Sequence, residues 1–233
     1  MKNLIIVVLV LVLLAFGWSL MQKGDADIEN KEDTVPVTIG EATLPNGTFT
    51  ADADKSTLKW EGSKTLILNY KDSGSIKLAS GVVMSENGML KSGEIVIDMT
   101  SIAGEATSNT KVPVTALTTH LKSTDFFDVE KYPTATLMLK SLKKTEVEGT
   151  FLAEGDMTIK GITQPVSFPV TWSEEADGAH VRGKATLDRT LWDVRYGSGK
   201  FFDNLGDGVV DDMFTVEFDV VGTVALTPAA SAN

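Results

Sequence analysis

Between Gly47 and Leu226, apolar and polar side chains alternate in short runs broken by Gly, Asn, Asp or Ser. TLKWEG, GSIKLASGVVM, LKSGEIVIDM, TATLMLKSL, GDMTIKG, QPVSFPVTW, HVRGKATLD and MFTVEFDVVGTV each carry a period of two, which sends alternate side chains to opposite faces of a strand. Ile95, Ile97 and Met99 share a face. So do Val166, Phe168, Val170 and Trp172; Val181, Ala185 and Leu187; and Phe214, Val216, Phe218 and Val220. Such text predicts an all-β domain over 47–226, an antiparallel barrel or sandwich of about eight strands.

Two stretches resist the alternation. Residues 105–127 lack it, and LTTHLKSTDFF predicts a short helical segment, with Ser123, Thr124 or Asp125 placed to cap a turn beyond it. Residues 188–213, DRTLWDVRYGSGKFFDNLGDGVVDDM, form a long Gly- and Asp-rich connection, the kind that serves function or closes a barrel mouth.

Ahead of the domain, Lys2 is followed by Leu4 to Met21, an uncharged apolar run. As a helix it approaches the roughly 30 Å hydrocarbon thickness of a bilayer. Residues 1–23 therefore predict a signal peptide or a membrane anchor, with Ala15-Phe16-Gly17 ahead of Trp18 only a fair cleavage site. Lys2 against Asp25, Asp27 and Glu29 orients the body outward. Both fates place the domain outside the cytoplasm, periplasmic or secreted, with membrane contact through this segment. Residues 24–46 predict an acidic flexible linker, and 227–233 a disordered tail.

The formal charge of −11 disfavours nucleic acid, whose phosphates need clustered Lys and Arg. The absence of cysteine excludes disulfides, thiolate metal sites and a Cys nucleophile. With two histidines in the chain, no metal centre or cofactor is expected. Asp203, Asp207, Asp211 and Asp212 crowd FFDNLGDGVVDDM but miss the calcium-loop spacing, Leu205 standing where a ligand would, so they read as a solvated loop.

His120 with Asp125, Asp128 and Glu130 has the parts of an acid-base set, yet no nucleophile signature accompanies it, and His180 sits in an ordinary strand. The stronger reading makes Phe126 and Phe127 a plug and THLKSTDFF a clasp over one barrel end. Arg189, beside Trp192, either binds a phosphate head group or fastens its loop to the clasp through Asp188, Asp125 or Asp128.

The order TLKWEGSKT, SGSIKLASGVV, KSGEIVIDMTSI, HLKSTDFFDVEKYPTAT, GDMTIKGITQPVSFPV, LDRTLWDVRYGSG and VVDDMFTVEFDV resembles the YceI-like family of bacterial extracytoplasmic proteins. The resemblance implies a lipocalin-like antiparallel β-barrel whose long apolar cavity holds a polyisoprenoid or similar amphiphile, and it implies no enzymatic activity. The chain departs from the pattern before the S-G-x-I turn, where many relatives carry a histidine and LNYKDSGSI places Asn69 and Tyr70. Trp60, Met138, Phe168, Trp172, Phe214 and Phe218 are the expected lipid-contacting residues. Tyr70, His120 and Arg189 are the candidate head-group or clasp residues. The partner expected is an apolar or isoprenoid lipid, and the pattern specifies no oligomeric state. The competing reading is a solidly packed barrel serving as a structural or interaction module.

Overall fold

The computed structural model of the chain describes residues 42, 44, 46–64, 66–106 and 112–226. The expected N-terminal helix, most of the expected linker and the tail lie outside them. Among the described residues no helix is long and apolar enough to cross a membrane.

The strands run in the order β1 (Gly47–Ala51), β2 (Thr57–Ser63), β3 (Lys71–Glu86), β4 (Met89–Glu105), β5 (Thr134–Lys144), β6 (Thr150–Ile159), β7 (Ile162–Glu175), β8 (Gly178–Asp188) and β9 (Met213–Leu226). One helix, α1 (Val114–Lys122), lies between β4 and β5. From β2 onward each strand pairs antiparallel with its successor, and β9 returns to pair with β2. β1 continues the line of β2 and pairs with the far ends of β3 and β9. The result is a closed barrel of eight staves, one of them shared by β1 and β2. Among the described residues every strand is paired on both sides over at least part of its length, so closure leaves no edge strand.

Up-and-down order puts alternate connections at opposite ends. The β3–β4, β5–β6 and β7–β8 hairpins form one end, and α1 with the β8–β9 loop occupies the other. Three hairpins turn on only two residues, and in two of them, Asn87-Gly88 and Lys160-Gly161, both have positive φ, of 54° and 80°, and 50° and 73°. Positive φ at both central positions gives the turn a twist that matches the flanking strands, and glycine takes the second position without steric cost.

The alternation sorts inside from outside. Ile95, Ile97 and Met99 of β4 line the interior, as do Phe168, Val170 and Trp172 of β7. After Met99 the β3–β4 register shifts, so Ile102 is the next inward residue. β5 departs from expectation. Met138 stands on the outer face, 45% exposed, while Ala135 and Leu137 are buried and Leu139 packs against the core. Three successive apolar residues leave the phase of LMLK open, but the neighbours settle it: Met138 lies opposite Glu94 on β4 and Asp156 on β6. Lys140, two residues on, shares its face and reaches Asp156 at 2.6 Å.

The barrel also takes hold of the chain earlier than the expected linker boundary. Ala42 N–H donates to Leu142 O at 2.9 Å and Leu44 N–H to Gly88 O at 2.8 Å. Ala42 is buried and Leu44 reaches the interior, so the barrel's contacts begin several residues before β1.

α1 begins after Pro113, whose φ of −53° suits a helix entrance. Its residues Ala116, Leu117, His120 and Leu121 face the interior, a helical spacing of one, three and four. Ser123 ends this helix rather than starting another. Its backbone is extended and its Oγ donates to His120 O at 2.8 Å. Asp128 then turns the chain with φ of 48°, its N–H donating to Ser123 O.

Candidate functional site

A cavity of about 610 Å³ occupies the barrel, within the roughly 300–1,000 Å³ of small-molecule sites. Its lining reaches from Phe49, Leu142 and Trp172 near the hairpin end to Tyr70, His120 and Tyr196 near the α1 end. Of the six expected lipid contacts, Trp60, Phe168, Trp172, Phe214 and Phe218 line it and Met138 does not. Sequence reasoning missed Leu137 and Leu139, which take the place given to Met138, and also Phe49 and Phe151.

Ring geometry explains why large side chains leave room. Phe168 meets Phe218 edge-on at 5.8 Å, and Phe49 meets Trp172 in the same way at 5.8 Å, so the rings cluster along the wall in arrangements aromatic quadrupoles favour. Trp60 lies close over β3 at Gly74, where an added Cβ would come within 2.7 Å of the indole. Its Nε1 donates to Ala103 O at 3.2 Å, which leaves only apolar ring surface for the cavity.

The α1 end carries most of the polar lining. Tyr70 is 5% exposed and its hydroxyl donates to Asp72 Oδ2 at 2.9 Å. Burial, reinforced by that hydrogen bond, pushes the phenol up to about 12, so it remains a donor. Lys64 Nζ lies 5.2 Å from the Tyr70 ring centroid. Ser63 Oγ donates to Asp211 Oδ2. His120 stands edge-on to Phe126 at 4.9 Å and to Tyr196 at 4.4 Å, and its Nε2 is 3.6 Å from Asp125, beyond hydrogen-bond reach. These contacts make His120 part of an aromatic clasp.

Arg189 is 4% exposed and its guanidinium is spent on the main chain. It donates to Asp211 O at 2.9 Å, Val194 O at 2.7 Å and Val210 O at 2.9 Å, with Asp212 Oδ1 at 3.6 Å. The expected partners Asp188, Asp125 and Asp128 are not the ones it takes. Its link to the clasp is instead the Phe126 ring, 6.0 Å from Cζ. Beside it Trp192, 1% exposed, anchors the β8–β9 loop by donating Nε1–H to Met157 O at 3.0 Å. Asp211 and Asp212 are engaged by Ser63, Arg189 and Lys200, so these two loop aspartates serve closure.

His180 is the residue whose setting the sequence concealed. It points away from the cavity yet is 5% exposed, covered by charged neighbours from β7, β8, β9 and the β7–β8 turn. Its Nδ1 stands 2.8 Å from Asp219 Oδ1 and its Nε2 3.1 Å from Asp177 Oδ1. Those hydrogen bonds raise its pKa against the opposing effect of burial. Arg182 binds Glu175 and Asp219, and its hydrogen bond holds the Glu175 carboxyl down at about 2. Ligand atoms of Glu175, Asp177 and His180 lie within 4.8 Å of one another, but the Arg182 guanidinium already supplies the cation there. The local signal was the alternation itself, which pairs outward His180 and Arg182 with an outward Asp219 across the sheet.

The geometry is that of a closed barrel with a long apolar interior, one polar end and a clasp over that end. The YceI-like domain matches residues 49–222, and the chain belongs to that family. Relatives of known sequence include a UPF0312 protein of Pseudomonas putida (strain W619), 43% identical over 56 residues, 24% of this chain and 29% of that protein. Another, from Ectopseudomonas mendocina (strain ymp), is 47% identical over 47 residues, 20% of this chain and 24% of that one. The chain thus spans about 29% of the length of the curated relatives it matches first. Among solved structures, Burkholderia cenocepacia BcnA superposes with a TM-score of 0.57 at 20% identity, covering 74% of this chain and 99% of that one. A polyisoprenoid binding domain from Saccharophagus degradans, described as implicated in plant cell wall breakdown, gives 0.55 at 14% identity, covering 76% and 98%. At these identities the likeness is one of fold.

Proposed function

We propose that the protein is an extracytoplasmic binding or carrier protein that encloses an apolar, isoprenoid-like chain in its barrel. The observation that carries the reading is the cavity of about 610 Å³ lined along its length by apolar side chains. Protein interiors seldom keep voids larger than a water molecule, and lining atoms that face a void lose their dispersion partners. A hydrocarbon chain restores those contacts and gains about 0.8 kcal/mol for each buried CH₂. The resemblance of the fold to a polyisoprenoid binding domain supports the same ligand class. Location outside the cytoplasm rests on Lys2 and the apolar run Leu4 to Met21.

The test begins with protein purified from its own host. Native mass spectrometry and solvent extraction of each cell fraction should find the chain in the envelope or the medium, carrying lipid. Ala185 is buried on β8 and lines the cavity, so Ala185→Trp places bulk in open space. The variant should lose lipid uptake while costing less than the roughly 1–3 kcal/mol of overpacking a filled core. A lipid-free parent together with a full overpacking penalty would overturn the reading, and recovery from the cytosol would overturn the location.

A further inference from the structure

At the α1 end of the cavity, one carboxylate oxygen has no protein partner among the described residues. Asp72 lines the cavity from β3, opposite Gly62 of β2. Tyr70 donates to its Oδ2. Oδ1 is buried and accepts from no described group. A Cβ built on Gly62, which also lines the cavity, would meet nothing within 4 Å, so there is open space across the strand pair from Asp72, although Oδ1 itself is closed off from it as the side chain now stands. A buried acceptor left unpaired is costly, and an ionised one more so. None of the other groups at this end bonds it: Ser63 bonds Asp211, Arg189 is committed to the main-chain carbonyls of 194, 210 and 211, and Lys64, which also lines the cavity, stands over the Tyr70 ring.

We propose that Asp72, backed by Tyr70 and facing the space over Gly62, is the head-group subsite of the cavity, and that it selects chains ending in a hydrogen-bond donor, a hydroxyl or an amine, over chains ending in phosphate or carboxylate. The inference rests on the reading of the cavity as a chain-binding site and adds the polarity of the chain's end. A terminal O–H or N–H lodged over Gly62 satisfies Oδ1 in a charge-assisted hydrogen bond once the carboxylate turns toward it. An anionic head would bring like charge against the carboxylate, with the Arg189 guanidinium already committed elsewhere. Tyr70, held protonated, keeps Oδ2 occupied, so the donor is directed to Oδ1. The chain then extends toward the hairpin end among Phe168, Trp172 and Phe218.

The experiment compares three probes on one carbon skeleton, geranylgeraniol, geranylgeranyl monophosphate and the corresponding hydrocarbon, each delivered from detergent micelles to the delipidated full chain. The alcohol should bind at least tenfold more tightly than the other two, a difference of about 1.4 kcal/mol. Asp72→Leu should bring the alcohol down to the hydrocarbon's affinity. Asp72→Asn keeps the shape without the charge; its amide oxygen accepts from Tyr70 and its NH2 takes the place of Oδ1, where an alcohol oxygen or a phosphate can accept, so it should retain the alcohol and gain affinity for the phosphate. Equal binding of alcohol and hydrocarbon, a phosphate bound as tightly as the alcohol by the parent protein, or an alcohol preference that survives Asp72→Leu overturns the subsite. The parent comparison and the near-isosteric Asn variant decide the matter even where the Leu variant does not fold. Binding of the hydrocarbon without discrimination sinks the subsite alone, whereas failure of all three probes sinks the chain-binding reading with it.

Discussion

The two ends of the barrel are secured by opposite uses of charge. At the α1 end, Arg189 is drawn inside, and its donors go to main-chain carbonyls of a loop that would otherwise bury them unpaired. At the hairpin end, Arg182 lies outside, among Glu175, Asp177, His180 and Asp219, with solvent still reaching the pairs. The first arrangement shapes the cavity, because Arg189 and Phe126 both line it. The second leaves the cavity untouched and fastens three adjacent staves from without. A polar group thus bears on ligand binding only by its end: where polar side chains turn inward, the wall offers a ligand more than hydrocarbon contact.

The same substitution at both ends gives the sharpest test. Arg189→Leu removes three hydrogen bonds from main-chain carbonyls and leaves Asp212 with Lys200 as its cation, and breaking a buried pair on one side costs about 3–5 kcal/mol. Chemical denaturation should show a loss of that size for Arg189→Leu and a smaller one for Arg182→Leu, whose pairs are exposed and screened. Equal losses would erase the distinction between the ends.

A smaller effect isolates the hairpin end by pH. His180 has its pKa raised above the ordinary 6.5, so its contribution to stability is complete below that value and is lost as pH rises through the folded-state pKa. Glu175 runs the other way: held at about 2 against an ordinary 4.5, it contributes above 4.5 and loses that contribution as pH falls toward 2. The cluster is therefore most stabilising between about 4.5 and 6.5. Lys55 lies alongside, donating to Asp177 O. The melting temperature of the parent should fall as pH is raised above 6.5, and His180→Asn should flatten that slope while keeping the acid limb. A slope unchanged by the substitution would show that the imidazole does not titrate within the cluster.

How much could be read from the sequence depends on the range of each signal. Strand identity and inward phase are properties of a few consecutive residues, so β4, β7, β8 and β9 were legible, and so were five of the six expected lining side chains. The β5 phase was blurred by Leu137-Met138-Leu139, although Lys140 carried the missing information. Side-chain partnership is another matter, because it is set by register across strands. Asp125, Asp128 and Glu130 stand near His120 in the chain and drew attention to it, yet its ring contacts are Phe126 and the distant Tyr196. Asp219 lies 39 residues from His180 and binds it directly. Asp72 and Gly62 are likewise joined only by the β2–β3 register, which no local pattern announces.

The smallest expected effect concerns His120, and it separates the clasp from the head-group subsite at the one end where both are found. The ring packs edge-on against Phe126 and Tyr196, contacts worth about 0.5–1.5 kcal/mol each beyond burial, and its 3.6 Å separation from Asp125 adds little at an exposed carboxylate. His120→Ala should therefore lower stability modestly. It should leave geranylgeraniol affinity within tenfold, or about 1.4 kcal/mol, because the donor-accepting oxygen belongs to Asp72. Titration of the variant with the alcohol and with the hydrocarbon distinguishes the two roles. If both affinities fall together, His120 acts as a wall of the cavity. If only the alcohol's affinity falls, by more than tenfold, the polar contact lies at the imidazole, and the contrast between an aromatic clasp and a carboxylate subsite has to be redrawn around His120.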